Sequence, residues 1–276
     1  MLNSVTRRTT TSWGSKIGGS FKGMAFGGLL FLASFPVLFW NEGAYVKDLK
    51  AIAQGESSIL AISAETVDPA NEGKLVHLSG LAAAEGMLTD PDFGLGWHAI
   101  HLKRNVEMYQ WQEKSQTKEV DKVGGATERE TTYTYSKVWS DKVIDSSTFQ
   151  LPEGHANPGA MRFESAEWTA PEVRLGAFKL SESLIAAMDA FEGIRLDENE
   201  RLKIPEPLRN ETALYAGGFY VGANPRAPAV GDLHVSYAIV PAPQTVSLYS
   251  GQIGDTLAPF VAANGRRLER LQQGIH

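Results

Sequence analysis

Residues 23–40 read Gly-Met-Ala-Phe-Gly-Gly-Leu-Leu-Phe-Leu-Ala-Ser-Phe-Pro-Val-Leu-Phe-Trp, and no charge falls between Lys22 and Glu42. A helix needs about 17–25 apolar residues to cross a hydrocarbon core, and this run has that length. It is apolar on every side, whereas a helix packed on a soluble core keeps a polar face. Gly27, Gly28 and Pro36 weaken a helix in water more than one in lipid. The exit Phe39-Trp40-Asn41-Glu42 offers no small-x-small site for removal as a secretory leader. A retained transmembrane helix over 23–40 is predicted, with Trp40 and Tyr45 at the membrane interface.

Charge supports that reading. Arg7, Arg8, Lys16 and Lys22 are the charges of residues 1–40, so 1–22 read as a basic cytoplasmic leader and the rest as extracytoplasmic. The remainder holds 22 basic and 32 acidic residues, within a 276-residue chain of net charge -6 and pI ≈ 5.6. Such a surface argues against nucleic-acid binding, which needs basic groups to displace counterions. With no Cys, thiol catalysis, cysteine zinc sites and redox switching are excluded.

Residues 41–55 place Tyr45, Leu49, Ile52 and Ala53 on one helical face, which predicts an amphipathic juxtamembrane helix ending at Gly55. From 56 to 260 the period drops towards two, and an extracytoplasmic or lumenal β-rich domain is expected. Lys74–Gly80 follows an Asn71-Glu-Gly73 turn and reads as a strand. Ala99–Gln112 and Thr131–Ile144 form a predicted long hairpin across the charged connector Lys114–Arg129, with Gly124-Gly125 at its middle. Further strands are expected at Pro171–Leu180, Leu214–Val221, Gly231–Val240 and Thr245–Tyr249, and a Ser181-capped helix to Phe191. Residues 192–210, with Pro205 and Pro207, read as a surface excursion, and 261–276 as a C-terminal tail. The predicted class is α+β, with an N-terminal transmembrane helix before a barrel- or sandwich-like domain with short helices.

The chain is sparse in chemistry. His98 and His101 lie on opposite faces of a strand, and His77, His155 and His234 lack ligand spacing, so no metal site is read. Asp90-Pro91-Asp92 lacks the alternating acids of a calcium loop and reads as a turn. No phosphate-binding glycine loop, dinucleotide fingerprint or Gly-x-Ser-x-Gly elbow occurs, and the pair Glu164 and Glu167 carries little weight in an acidic chain. No catalytic residue and no cofactor is therefore assigned. Aromatic alternation is the strongest local pattern: Tyr109 and Trp111 share one strand face, and Tyr133, Tyr135 and Trp139 share a face of the partner strand. Aligned, the five would form a ladder, either a ligand or partner face or a part of the core.

At these residues the chain resembles the transmembrane protein 43 family, also called LUMA. The phrases are Asn71-Glu-Gly-Lys-Leu-Val-His77, Asp90-Pro91 with Gly94, Val106-Glu-Met-Tyr-Gln-Trp111, Gly154-His-Ala-Asn-Pro-Gly-Ala-Met161, Thr169-Ala-Pro171 and Val230-Gly-Asp-Leu-His-Val235, with the Phe39-Trp-Asn-Glu-Gly43 exit. Each alone is weak, and their shared order is specific. The resemblance implies one N-terminal span, a large lumenal or extracytoplasmic domain and further spans near the C-terminus, which this sequence stops short of at His276. It implies residence in the endoplasmic reticulum and inner nuclear membrane for eukaryotic members, self-association and contact with lamina-linked proteins such as emerin. For a bacterial relative the inner membrane and periplasm are expected. It supplies no catalytic residues.

Three functions are weighed on these grounds. The first is a non-enzymatic membrane scaffold held by the bilayer, forming homo-oligomers or binding other membrane or envelope proteins. The second is an extracytoplasmic sensor using Tyr109, Trp111, Tyr133, Tyr135 and Trp139. The third is a hydrolase with a pocket of converging acids or histidines.

Overall fold

The structure, a computed structural model, describes residues 4–11, 26–27, 29–36, 59–123, 126–262 and 265–274. Its main strands are, in chain order, β1 (Ser4–Thr11), β2 (Leu75–Ala84), β3 (Ala99–Asp121), β4 (Thr127–Ser140), β5 (Val173–Leu175), β6 (Phe178–Leu180), β7 (Thr212–Tyr215), β8 (Gly218–Val221), β9 (Leu233–Pro241), β10 (Gln244–Ile253), β11 (Thr256–Ala258) and β12 (Arg270–Gln273). They belong to two compact units. One comprises Met1–Val46, Met108–Arg162 and Ala229–Gly231; the other comprises Lys47–Glu107, Phe163–Pro228 and Asp232–His276. Residues of the expected 56–260 domain fall in both units, and Arg270–Gln273 of the expected tail adds β12 to the second.

The second unit contains a closed five-stranded barrel. β2 pairs antiparallel with β10, β10 with β11, β6 with β5 and β5 with β2, while β11 and β6 run parallel and complete the ring. Alternation explains the closure. Val76, Leu78 and Ala82 of β2 and Val246 and Leu248 of β10 point inward with Leu175, Phe178, Leu180 and Leu257, and all are buried. His77 and Ser79 point outward, as the two-residue period requires. Each buried Leu or Phe stabilises the fold by about 1.5–3 kcal/mol, and closure leaves these strands no open edge. β12 adds to β10 outside the ring, with Leu271 opposite Leu248.

The same unit holds β7, β8 and β9 as part of a second, eight-stranded sheet, in which Phe219 faces Val235. The expected single strands at 171–180 and 214–221 are tight hairpins, because Gly176 and Gly217 adopt positive φ and reverse the chain. The expected surface excursion is also more ordered than its charges suggested. Glu192–Ile194 pairs with β9, and Glu198–Lys203 is a helix opened by a capping box of Asp197 and Glu200. Ile204 and Leu208 beyond it are buried. Ser181 caps a helix as expected, but over Glu182–Ala186 only.

In the first unit, β3 and β4 form the predicted hairpin, longer than its aromatic cores. The ladder runs from Met108↔Ser140 to Asp121↔Thr127 and absorbs most of the charged connector; Gly124-Gly125 lies outside the described residues. Part of the basic leader joins this sheet. Ser4–Thr11 is a strand paired antiparallel with β4 from Ser4↔Thr134 to Thr11↔Thr127. Residues 26–27 and 29–36 are helical, yet no helix among the described residues is long and apolar enough to cross a membrane. The rest of the predicted span, and the predicted 41–55 helix, lie outside the described residues.

Candidate functional site

The aromatic ladder forms in register. Tyr109 faces Trp139, Trp111 faces Lys137, Glu113 faces Tyr135 and Ser115 faces Tyr133, so all five rings share one face of the hairpin. The Tyr109 and Trp139 rings meet at 5.1 Å. The Lys137 ammonium lies 5.0 Å from the Trp111 ring centre and 6.0 Å from that of Tyr109, within reach of a cation–π attraction.

A following loop in the same unit covers the middle of the ladder. His155, fully buried, stacks on Tyr135 at 4.1 Å and meets Trp111 edge-on at 4.7 Å. Phe149 packs on Tyr135 from 5.9 Å. Tyr135 is buried, while Tyr109, Trp111, Tyr133 and Trp139 are half-buried. Tyr135 is thus packed in a small core at the centre of the ladder, and the other four rings stay partly exposed around it.

Polar groups lock the loop in place. The Tyr135 hydroxyl donates to Glu113 Oε2 at 2.6 Å and accepts from Leu151 N at 2.9 Å. His155 Nδ1 donates to the Leu151 carbonyl at 2.9 Å, which leaves its buried Nε2 without a partner among the described residues. Asn157 replaces a neighbouring strand: its Oδ1 accepts from Trp111 N at 2.8 Å and its Nδ2 donates to Trp111 O at 2.9 Å. Buried Gln110 does the same for the turn after β4, donating to Lys142 O and accepting from Ile144 N. The phrases Val106–Trp111 and Gly154–Met161 thus meet in space. Sequence reading singled out the rings but missed His155, Gln110 and Asn157 as their supports.

Burial, then the bond to Glu113, pushes the Tyr135 hydroxyl up to about 12. An unfolded tyrosine ionises near 10, so the unfolded chain loses this proton first and stability falls as pH rises from about 10 towards 12. Denaturant midpoints measured at pH 9 and 11 should drop by the equivalent of about 1 kcal/mol from this group. Tyr135→Phe should show a shallower drop, and an unchanged slope would remove the linkage.

In the second unit the most strongly charged feature is buried. Asp90 accepts two hydrogen bonds from Arg104 Nη1, at 2.8 and 2.9 Å, one from the Tyr237 hydroxyl at 2.6 Å and one from Asp92 N at 3.0 Å. Arg104 also donates to Asp92 Oδ2 and to the Glu164 carbonyl, and its guanidinium lies against the Phe93 and Trp168 rings at 5.5 and 5.6 Å. Burial alone would lower the Arg104 pKa, but the Asp92 bond and the Asp90 charge raise it above its ordinary value. Burial, then the bond to Asp90, holds Tyr237 well above the usual tyrosine range. The Asp90 carboxylate accepts four hydrogen bonds, so the cluster pins three elements together. The Asp90-Pro91-Asp92 turn is present as read; its buried cation was not foreseen.

Two clefts open on the barrel's outer surface. The larger, of about 780 Å³, is lined by Ala64, Gly80, Leu81, Ala84, Pro171 and Arg174, with Glu65, Glu85 and Glu172 beside them. The smaller, of about 180 Å³, holds His77, Ser247, Tyr249 and Arg270. Here Ser79 donates to Ser247 at 2.9 Å, and Ser247 lies 3.0 Å from His77 Nε2. A serine nucleophile needs a base that is itself oriented by a third group, and no partner holds His77 Nδ1 among the described residues.

The family profile described as transmembrane protein 43 matches residues 108–276, which include the hairpin and its covering loop. Human transmembrane protein 43 is 36% identical over 91% of this chain, and the Drosophila melanogaster homolog is 30% identical over 87%. The mouse protein is 35% identical over 91% of this chain. No solved structure matches the chain. The alignment spans 64% of the human protein's length. No enzymatic activity is known for these relatives as a family. On the family profile and on this identity across most of its length, the chain belongs to the transmembrane protein 43 family and is a membrane protein by that kinship.

Proposed function

We propose that the chain is a membrane-anchored organising protein, whose β-rich units self-associate or bind other membrane proteins beside the bilayer. One contrast carries this reading. The β-rich units bury most of their large apolar side chains and expose others singly, such as Leu81, Leu202 and Ile253, whereas Phe26, Leu29, Leu30, Phe31, Leu32 and Phe35 lie together in one segment and are each more than half exposed. A soluble chain seldom presents six such residues together, and family membership supplies the membrane to receive them. A scaffold also suits polar clusters that are spent on holding loops and strands, as at Asp90, Gln110 and Asn157.

Chemical crosslinking of the full chain in membranes tests the reading. Oligomers or one defined adduct are expected. Recovery of monomer alone, across reagents and protein densities, would leave the scaffold role without support.

A further inference from the structure

We infer that the smaller cleft on the barrel's outer surface, at His77, Ser247, Tyr249, Arg270 and Gln272, is a binding site for a phosphate group. It uses none of the residues of the aromatic ladder or of the Asp90 cluster, and it stands whether or not the chain self-associates.

The first ground is register. β2, β10 and β12 are neighbours, and they set two cross-strand rows side by side: Ser79, Ser247 and Gln272 in one, His77, Tyr249 and Arg270 in the other. Alternation turns Val76, Leu78, Val246 and Leu248 into the barrel, so both rows face outward. Ser247 is the buried member of the cleft, at 6% exposure. It accepts from Ser79 Oγ at 2.9 Å and lies 3.0 Å from His77 Nε2. Whichever of Ser247 and the neutral His77 ring donates to the other, one hydrogen of the pair is left for a ligand.

The second ground is charge. An ordinary solvated face intersperses both signs, and elsewhere on the ring it does: Arg174 of β5 and Lys179 of β6 share Glu172, at 3.0 and 3.6 Å. Arg270 faces Tyr249 instead, and no acid lines the cleft although the chain carries a net charge of -6. Among the described residues the Arg270 guanidinium, the Tyr249 hydroxyl and the Gln272 amide have no partner. Donors thus come from three strands around one uncompensated positive charge. A carboxylate, with two oxygens in one plane, would be satisfied by the arginine fork alone, whereas donors spread over three strands suit the several oxygens of a tetrahedral phosphate. At about 180 Å³ the cleft is smaller than the ~300–1,000 Å³ of a drug-sized site, so it takes a single such group.

Equilibrium dialysis of the full chain in detergent against radiolabelled inorganic phosphate, at constant ionic strength, tests the site. Saturable binding of one phosphate per chain is expected. Arg270→Gln should weaken it about tenfold or more, and Tyr249→Phe, which keeps the ring, about threefold. Arg195→Gln, which removes an exposed arginine from a different cleft of the same unit, should leave it unchanged. Binding that never saturates, that survives Arg270→Gln in full, or that Arg195→Gln weakens as much would overturn the inference. Competition names the source of the phosphate. Displacement by phosphatidic acid in the micelle assigns the site to a lipid headgroup, and displacement by glycerol 3-phosphate alone assigns it to a soluble ester; either sustains the site, and displacement by neither overturns it.

Discussion

Arg104→Met should destabilise the protein by about 3–5 kcal/mol, because it strips a buried carboxylate of its cation. Asp90 is fully buried and loses two of its four hydrogen bonds in that variant, while Tyr237 cannot supply a charge. The Met side chain still fills the space between Phe93 and Trp168, so lost packing contributes little. The double variant Asp90→Asn/Arg104→Met should be less destabilised than the sum of its single changes, since neutralising both partners removes the unpaired charge. Denaturant unfolding of the full chain in detergent measures both quantities. An Arg104→Met cost below about 1 kcal/mol would show that water reaches Asp90 and that the cluster does not hold the second unit together.

Gly176→Ala should cost about 3 kcal/mol or more, through a combination of backbone strain and collision. Gly176 turns the chain between β5 and β6 with φ +59°, and a Cβ there would sit 2.3 Å from the Ala64 carbonyl oxygen. That oxygen accepts the Ala177 N–H at 2.8 Å, so moving it aside breaks a bond that ties the turn to the barrel. Gly254 supplies the control: its φ is also +59°, but a Cβ there meets nothing within 4 Å. Gly254→Ala should cost only about 1–2 kcal/mol, the conformational part. Equal melting temperatures for the two variants would mean that backbone conformation, rather than the close approach at Ala64, sets the penalty.

Parts of this architecture were legible because burial imposed a period. The β3–β4 hairpin announced itself by aromatic alternation, and its register aligned the five rings as the ladder required. Its outer half did not, since Lys118 faces Glu130 and Glu119 faces Arg129, and a strand polar on both faces has no hydrophobic period. The strand Ser4–Thr11 was hidden for a related reason: Thr and Val favour strands, but a polar run with Arg7 and Arg8 has no hydrophobic period. Arg104 and Gln110 did leave a trace. They occupy the phase of Ile100, Leu102, Val106 and Met108, all inward and buried, so a polar residue there requires an internal partner. His155 and Asn157 left none, because their loop has no period and their role depends on a hairpin distant in sequence. The barrel was equally hidden: three of its strands are three residues long, shorter than any pattern window.

The ring has a consequence for biogenesis. His77 and Ser247 touch across neighbouring barrel strands although 170 residues separate them, and the last strand of the ring ends at Ala258. The first strand of the ring, β2, can meet β5 once residue 175 is made, but its longest partner, β10, exists only after the ribosome has passed residue 253. At about 5–20 residues per second, that interval is on the order of ten seconds or more, during which Val76 and Leu78 need shelter from other nascent chains. Newly made copies should therefore depend on chaperones far more than mature ones do.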